Sequence, residues 1–373
     1  MSQKRIIIVG CGFGGLAAAQ ELARLRRADL DITVFNKTPV LYNYPILPRL
    51  LMGDIPDRHL NWPLRELLDH DCIRFLAQRI ERIDLESKQV ETQTQRSSFD
   101  YLILAPGGKA IPIEQDDGFC VYYPKATRHL LRLRDEIREL CGLQACKPER
   151  QSLVVVGGGL TGIEFSIGIR LLCDRLCGEH NMAPQRIAVT LIEQESRLAP
   201  RCHPRLSATL LRQLTRSGIE VLTGQRAARI GHDRVISSQG ELPARRVLCC
   251  IGSHTDLRFA MQGLRTTAAS LTVTPTLQLT DHPHCFVVGD ATEIAGNRYQ
   301  ETKRASHAMH QGRAVVANLA RLLDGRHAVP YRAPRHPTLV TLGNEQATLE
   351  YGGLCFTGRW PAHLKHFLEK RYL

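Results

Sequence analysis

With 373 residues, 43% of them hydrophobic, and 29 glycines, the chain is long enough for two or three packed domains and too glycine-rich for a plain helical bundle. No apolar run approaches the roughly 18 residues of a membrane-crossing helix. The start, Met1-Ser2-Gln3-Lys4-Arg5, leads into an apolar strand rather than a secretory leader, so a cytoplasmic protein is expected. The 49 basic against 37 acidic residues, +12 overall, suit an anionic partner such as a dinucleotide or a phospholipid surface. The cations are scattered without aromatic interleaving, which argues against nucleic acid.

In chain order, the first readable element is the apolar run Arg5 to Val9, a buried parallel strand. It is followed by Gly10-Cys11-Gly12-Phe13-Gly14-Gly15, a helical run Leu16 to Arg27, and a second strand Asp31 to Phe35. Strand, glycine turn, helix, strand is the context that gives a dinucleotide fingerprint its meaning. Gly10 makes the tight turn, Gly12 lets backbone approach a pyrophosphate, and Gly15 lets helix and strand pack closely. The helix N-terminus faces the negative charge. Asn36 stands where an acid is usual and can bond a ribose hydroxyl without charge assistance; Lys37 follows it. Next comes Tyr101-Leu102-Ile103-Leu104-Ala105-Pro106-Gly107, of which Ala105 and Gly107 are counted with the cofactor contacts.

Lys147-Pro148-Glu149 reads as a linker. The fingerprint then repeats: strand Ser152 to Val156, turn Gly157-Gly158-Gly159-Leu160-Thr161-Gly162, a long helix, and strand Ile187 to Ile192 ending on Glu193. A carboxylate there accepts bonds from a ribose diol and repels a 2′-phosphate, so NADH is preferred over NADPH; a glutamate that merely ends a strand is the plainer reading. Gly157, Gly159, Thr161, Gly162 and Glu193 are the expected contacts of this second site, and Gly252 farther on is counted with the cofactor contacts. Cys249-Cys250 lies in an apolar strand and suits a core, as do most of the twelve cysteines. Asp281-His282-Pro283-His284-Cys285 superficially resembles a ligand set but lacks a matching second cluster, so no metal site is expected. The strand Cys285 to Val288 ends in Gly289-Asp290, whose carboxylate can meet a ribityl hydroxyl.

These motifs, in this order, resemble the two-dinucleotide-binding flavoprotein superfamily and, within it, a type II NADH dehydrogenase, a single-subunit NADH:quinone reductase. The likeness runs nearly the full length, through Thr161-Gly162-Ile163-Glu164 to the ending Thr357-Gly358-Arg359-Trp360. It implies FAD and NADH as cofactors, a quinone acceptor, Asp290 on the ribityl chain, and Glu164 beside the nicotinamide. Without it, Glu164 reads as a first-turn glutamate favoured by the helix dipole. The departure lies at Lys303 to Gly312. The family usually carries two glutamines there, four apart, lining the quinone pocket; this chain has Ser306 and His310. Lys303 with His307 and His310 is more similar to apoptosis-inducing-factor-like quinone reductases, and the lysine also resembles that of sulfide:quinone reductases. The disulfide-reductase branch would carry redox cysteines soon after the first unit, yet Asn36 to Asp71 contains none. Sulfide oxidation, for which Cys120 and Cys355 are conceivable, is the runner-up. A redox-sensing protein that binds NADH with negligible turnover is the alternative of another class.

The expected fold is α/β, with two Rossmann-like domains and a small C-terminal segment. FAD is assigned to residues 1–112 and 246–330, NAD to 113–245, and membrane docking or dimerisation to 331–373. Quinone reduction consumes two protons, for which Lys303, His307 and His310, placed on one helix face, are the candidate donors; a solvated face is the alternative. Trp360, Leu364, Phe367, Leu368 and Tyr372 recur at helical spacing, with Arg359, Lys365, Lys370 and Arg371 adding charge for anionic headgroups. The segment is too short to cross a bilayer and could lie on one, placing the protein peripherally on the cytoplasmic face. The other possibility is that it packs on the body or in a homodimer interface.

Overall fold

The apolar run at the start does what a strand buried on both faces must do. In the computed structural model, which describes residues 3–371 apart from 118, 120, 145–150, 182, 184–186, 256, 258, 264–269, 296–302 and 344, Lys4–Val9 is the central strand of a five-stranded sheet. Its neighbours are Leu30–Phe35 and Tyr101–Leu104, with Ile73–Leu76 and Cys285–Val287 outside them, all parallel. Near-continuous Ile, Val and Leu is the composition such a sheet demands. The chain order reverses on either side of Lys4–Val9, and α/β sheets bind ligands in the crevice at such a switch point.

A second five-stranded parallel sheet repeats the plan. Gln151–Val156 is central, flanked by Ile187–Glu193 and Arg246–Cys249, with Glu220–Thr223 and Val121–Tyr122 at the edges. The chain divides into two compact units, each built from three stretches of chain. The first unit comprises residues 1–43, 61–109 and 253–335, and holds the first glycine turn and the Gly289-Asp290 turn. The second comprises residues 44–60, 110–252 and 336–373.

Inside the first unit, helices Phe13–Arg24 and Ala305–Leu323 cross closely: a Cβ on Gly312 would overlap the Gly14 carbonyl, and one on Gly14 would sit 3.2 Å from the Ala308 carbonyl oxygen. Inside the second, the short helix Leu47–Met52 lies on Leu160–Glu179, where a Cβ on Gly168 would stand 3.1 Å from the Pro48 carbonyl oxygen. Arg134 holds the following residues with a two-pronged pair to Asp57, at 2.7 and 2.9 Å. The second unit also contains an antiparallel sheet, Thr338–Thr341, Ala347–Tyr351 and Leu354–Gly358, carrying the terminal helix Arg359–Arg371. Among the described residues, no helix is long and apolar enough to cross a membrane.

Candidate dinucleotide-binding sites

The first glycine turn is shaped by backbone that leaves no room for a Cβ. Gly10 has φ +92°, a region that favours glycine, and a Cβ there would overlap the Ala105 carbonyl; one on Gly15 would overlap the Gly10 carbonyl. Gly12 differs: a Cβ there would meet nothing within 4 Å. It precedes helix Phe13–Arg24, whose first turn no side chain caps. Those amides and the open side of Gly12 fit a pyrophosphate. Gly14, counted with the cofactor contacts, stands at the helix crossing. Asn36 accepts the Cys11 N–H at 2.9 Å and donates to the Thr38 carbonyl at 2.8 Å. Lys37 is exposed, Ala105 is buried, and Gly107 turns at φ +73° with open space around it. Gly289 takes φ +80° and donates its N–H to Gln311 Oε1 at 2.7 Å, which sets half-buried Asp290 in a short 3-10 turn.

The second turn has the same construction. Gly157, φ +106°, would bring a Cβ to 2.6 Å from the Cys250 carbonyl oxygen, and a Cβ on Gly162 would overlap the Gly157 carbonyl. Gly159 faces open space. Thr161 is exposed at the start of an uncapped helix, Leu160–Glu179. Glu193, only 7% exposed, accepts the Gly158 N–H at 2.6 Å through Oε2 and the Glu195 N–H at 2.9 Å through Oε1. This is more than a strand ending on a glutamate: the bond it accepts from Gly158 matches the one Asn36 accepts from Cys11, one residue beyond the leading glycine in each unit. Gly252, φ +113°, closes the neighbouring strand and accepts the Ile111 N–H at 3.2 Å.

Glu164 is the fifth residue of its helix, and the first turn contains no acid, so helix-dipole placement does not account for it. Its Oε1 accepts the Thr341 N–H at 2.7 Å and the Lys365 ammonium; Lys365 also donates to Thr341 Oγ1 at 2.6 Å. This overturns the assignment of Lys365 to lipid headgroups, because its side chain is 13% exposed and turned inward. Glu369, one turn on, lies 3.9 Å from the same nitrogen and 3.5 Å from Arg49. Burial pushes the Glu369 carboxyl up, repulsion from Glu164 adds to this, and the two cations oppose it. Sequence reading missed Lys365, Thr341, Glu369 and Arg49 as one group; the only signal available was charge at helical spacing on an otherwise apolar segment.

The expected single helix face of Lys303, His307 and His310 needs correcting. Helix Ala305–Leu323 begins after an N-cap at Arg304, so Lys303 precedes it, exposed, with Nζ donating to the Ser253 carbonyl at 2.6 Å. His307 and His310 are half-buried, three apart on the helix. Gln311, next to His310, is the buried residue that anchors Gly289. The two histidines of the Asp281–Cys285 segment sit on backbone: His282 bonds the Gly263 carbonyl at 2.9 Å and His284 that of Leu85 at 3.3 Å. Cys249 is buried and its thiol pushed up to about 11 by burial, and Cys250 is pushed up by the same cause. Cys355 is half-buried, and its thiol is raised chiefly by burial. Cys120, Tyr372 and the 147–149 linker lie outside the described residues.

Comparison with known proteins agrees with this geometry. The family model of pyridine nucleotide-disulphide oxidoreductases matches residues 4–312. A type II NADH:quinone oxidoreductase of Staphylococcus haemolyticus is 22% identical over 383 residues, covering 99% of this chain and 95% of the relative. The NdhA type II NADH:quinone oxidoreductase of Mycobacterium tuberculosis is 26% identical over 392 residues, covering 96% and 82%. Among solved structures, NDH2 from Plasmodium falciparum in complex with NADH superposes with a TM-score of 0.85 at 16% identity, over 100% of this chain and 95% of that one. The sulfide:quinone oxidoreductase of Aquifex aeolicus gives 0.82 at 20% identity, over 99% and 90%. The match over residues 4–312, spanning both glycine turns, makes this chain a member of the pyridine nucleotide-disulphide oxidoreductase family.

Proposed function

We propose that the chain is an FAD-dependent NADH:quinone oxidoreductase. The observation that carries this is the doubled glycine turn, in which only the second unit ends its second strand on a carboxylate. FAD is assigned to Gly10, Gly12, Gly15, Asn36, Ala105, Gly107, Gly289 and Asp290, with exposed Lys37 at its edge and Gly14 behind the turn. NADH is assigned to Gly157, Gly159, Thr161, Gly162, Glu193 and Gly252. FAD, when bound, supplies the two-electron chemistry that links a nicotinamide donor to a quinone.

What the chain itself does is bind, orient and handle protons. Uncapped helix starts offer amides to two pyrophosphates. Glu193 selects a free ribose 2′-hydroxyl and disfavours a 2′-phosphate. Glu164, with Lys365, keeps a paired charge at the helix that follows the second glycine turn, and His307 and His310 are the proposed proton donors to quinone. Two relatives named for NADH:quinone activity, matched along 96% or more of this chain, support the reading. A docking surface for bilayer-held quinone is supported by exposed Tyr351, Leu354, Phe356, Trp360 and Phe367, all on the terminal hairpin and helix. The same surface could instead join two copies.

The test is an anaerobic titration of the flavin-loaded protein. NADH should bleach the flavin stoichiometrically and a soluble quinone should restore its colour. A flavin bleached by sulfide and untouched by NADH would move the assignment to sulfide:quinone oxidoreduction, the reading that the Aquifex likeness favours. Bleaching without quinone turnover would indicate a redox sensor.

A further inference from the structure

In the second unit, four charged side chains alternate along a short path. They are Arg49 of helix Leu47–Met52, Glu369 and Lys365 of the terminal helix, and Glu164 of helix Leu160–Glu179. Their side chains are 7–19% exposed, so water screens little and each charge depends on an opposite neighbour. Glu164 is satisfied by the Thr341 amide and Lys365. Glu369 is not: Oε2 meets Arg49 at 3.5 Å, while Oε1 is buried without a hydrogen bond, 3.9 Å from the Lys365 nitrogen. A buried carboxylate oxygen without a bond is costly, and this one faces an ammonium on a flexible four-carbon stem four residues away.

We propose that Glu369, braced by Arg49, is a positioning residue for Lys365: it offers the ammonium a second carboxylate, so that Lys365 transfers from Glu164 to Glu369 when Glu164 takes up a proton. Only a proton moves, with no change in electron count. A proton from solvent forms an O–H bond on Glu164, Lys365 keeps its three hydrogens, and the cluster passes from neutral to a single positive charge. The charged groups facing Glu369 are Lys365 on its own helix, Arg49 from Leu47–Met52 and Glu164 from Leu160–Glu179; Thr341 of the adjacent strand completes the cluster and does not titrate. The inference rests on the reading that Glu164 lies beside the reaction, but its first test does not.

That test is lysine NMR on the full chain carrying 13C at the ε carbons, with the Lys365 signal identified by its loss in Lys365→Arg. In Glu369→Gln the cluster loses an anion and Arg49 loses its partner, so the Lys365 signal should titrate about one pH unit lower than in the unaltered protein. The pH profile of flavin bleaching by NADH should move the same way. A merely structural role for Glu369 would lower the melting temperature and leave both curves in place, and coincident curves overturn the proposal. If Glu369→Gln does not fold, Glu369→Asp, which retracts the carboxylate by one methylene, should give a smaller shift in the same direction, and no shift there is equally fatal. Should NADH fail to bleach even the unaltered protein, the functional reading falls, and the NMR comparison still decides the role of Glu369.

Discussion

At the scale of single residues, the glycines of each turn fall into two kinds with opposite consequences. Gly162 is confined by protein, since a Cβ would overlap the Gly157 carbonyl, whereas Gly159 faces open space. Gly162→Ala should therefore cost about 1–3 kcal/mol or more of stability, read as a lower melting temperature with or without NADH. Gly159→Ala should leave melting unchanged and raise the KM for NADH, because its methyl would enter the open side proposed for the nucleotide. Equal melting temperatures for the two variants would mean that the turn is not built as described. Glu193 is more than a strand end, because its two oxygens already hold the Gly158 and Glu195 amides. Glu193→Gln keeps one acceptor and loses the charge, so the preference for NADH over NADPH in kcat/KM should shrink roughly tenfold. A protein that used both nucleotides equally well from the start would contradict the assignment. That the turn needs glycine at these positions was readable from spacing. The bond that Gly158 donates to Glu193 was not, because it joins positions 35 apart in the chain.

At the scale of elements, the helix Ala305–Leu323 shows how a periodic pattern can mislead. Spacing placed Lys303, His307 and His310 on one face, but the helix starts at Ala305 and leaves Lys303 on the preceding chain, bonded to Ser253. His307 and His310 remain as the proton-donor pair to test. If one of them relays protons, its replacement by Phe should slow quinone reduction on the order of a hundredfold while flavin reduction by NADH stays near normal. Stopped-flow separation of the two half-reactions measures this, and unchanged oxidative rates in both variants would return the pair to a solvated face. The terminal helix taught a similar lesson. Its alternating apolar and basic residues read as a lipid-facing stripe, whereas Pro361, Ala362, Lys365 and Glu369 turn inward and Trp360 and Phe367 outward. Helical periodicity fixes which residues share a face; it does not say which face finds a partner.

At the scale of the whole molecule, the exposed apolar surface is broader than one helix. Tyr351, Leu354 and Phe356 of the hairpin are 48–59% exposed, beside Trp360 and Phe367 at 55% each, and the rings of Phe356 and Trp360 lie 6.0 Å apart. Deleting the chain after Thr357 would be a poor test of docking, since it also removes Lys365 and Glu369. Trp360→Ser with Phe367→Ser should instead weaken sedimentation with anionic liposomes roughly tenfold to a hundredfold and leave flavin reduction by NADH intact. If the unaltered protein fails to sediment even at low salt, the membrane reading is wrong and pairing of two copies takes its place. Sequence alone determined the α/β class and the two strand–turn–helix–strand units, because glycine spacing and unbroken apolar runs are local signals imposed by sterics and burial. Tertiary structure alone decided that residues 44–60 pack with residues 110–252 and 336–373. It also decided that Lys365 of the last helix meets Glu164 about 200 residues earlier. Such pairings depend on which surfaces a folded chain brings together, and no periodicity within either segment encodes them.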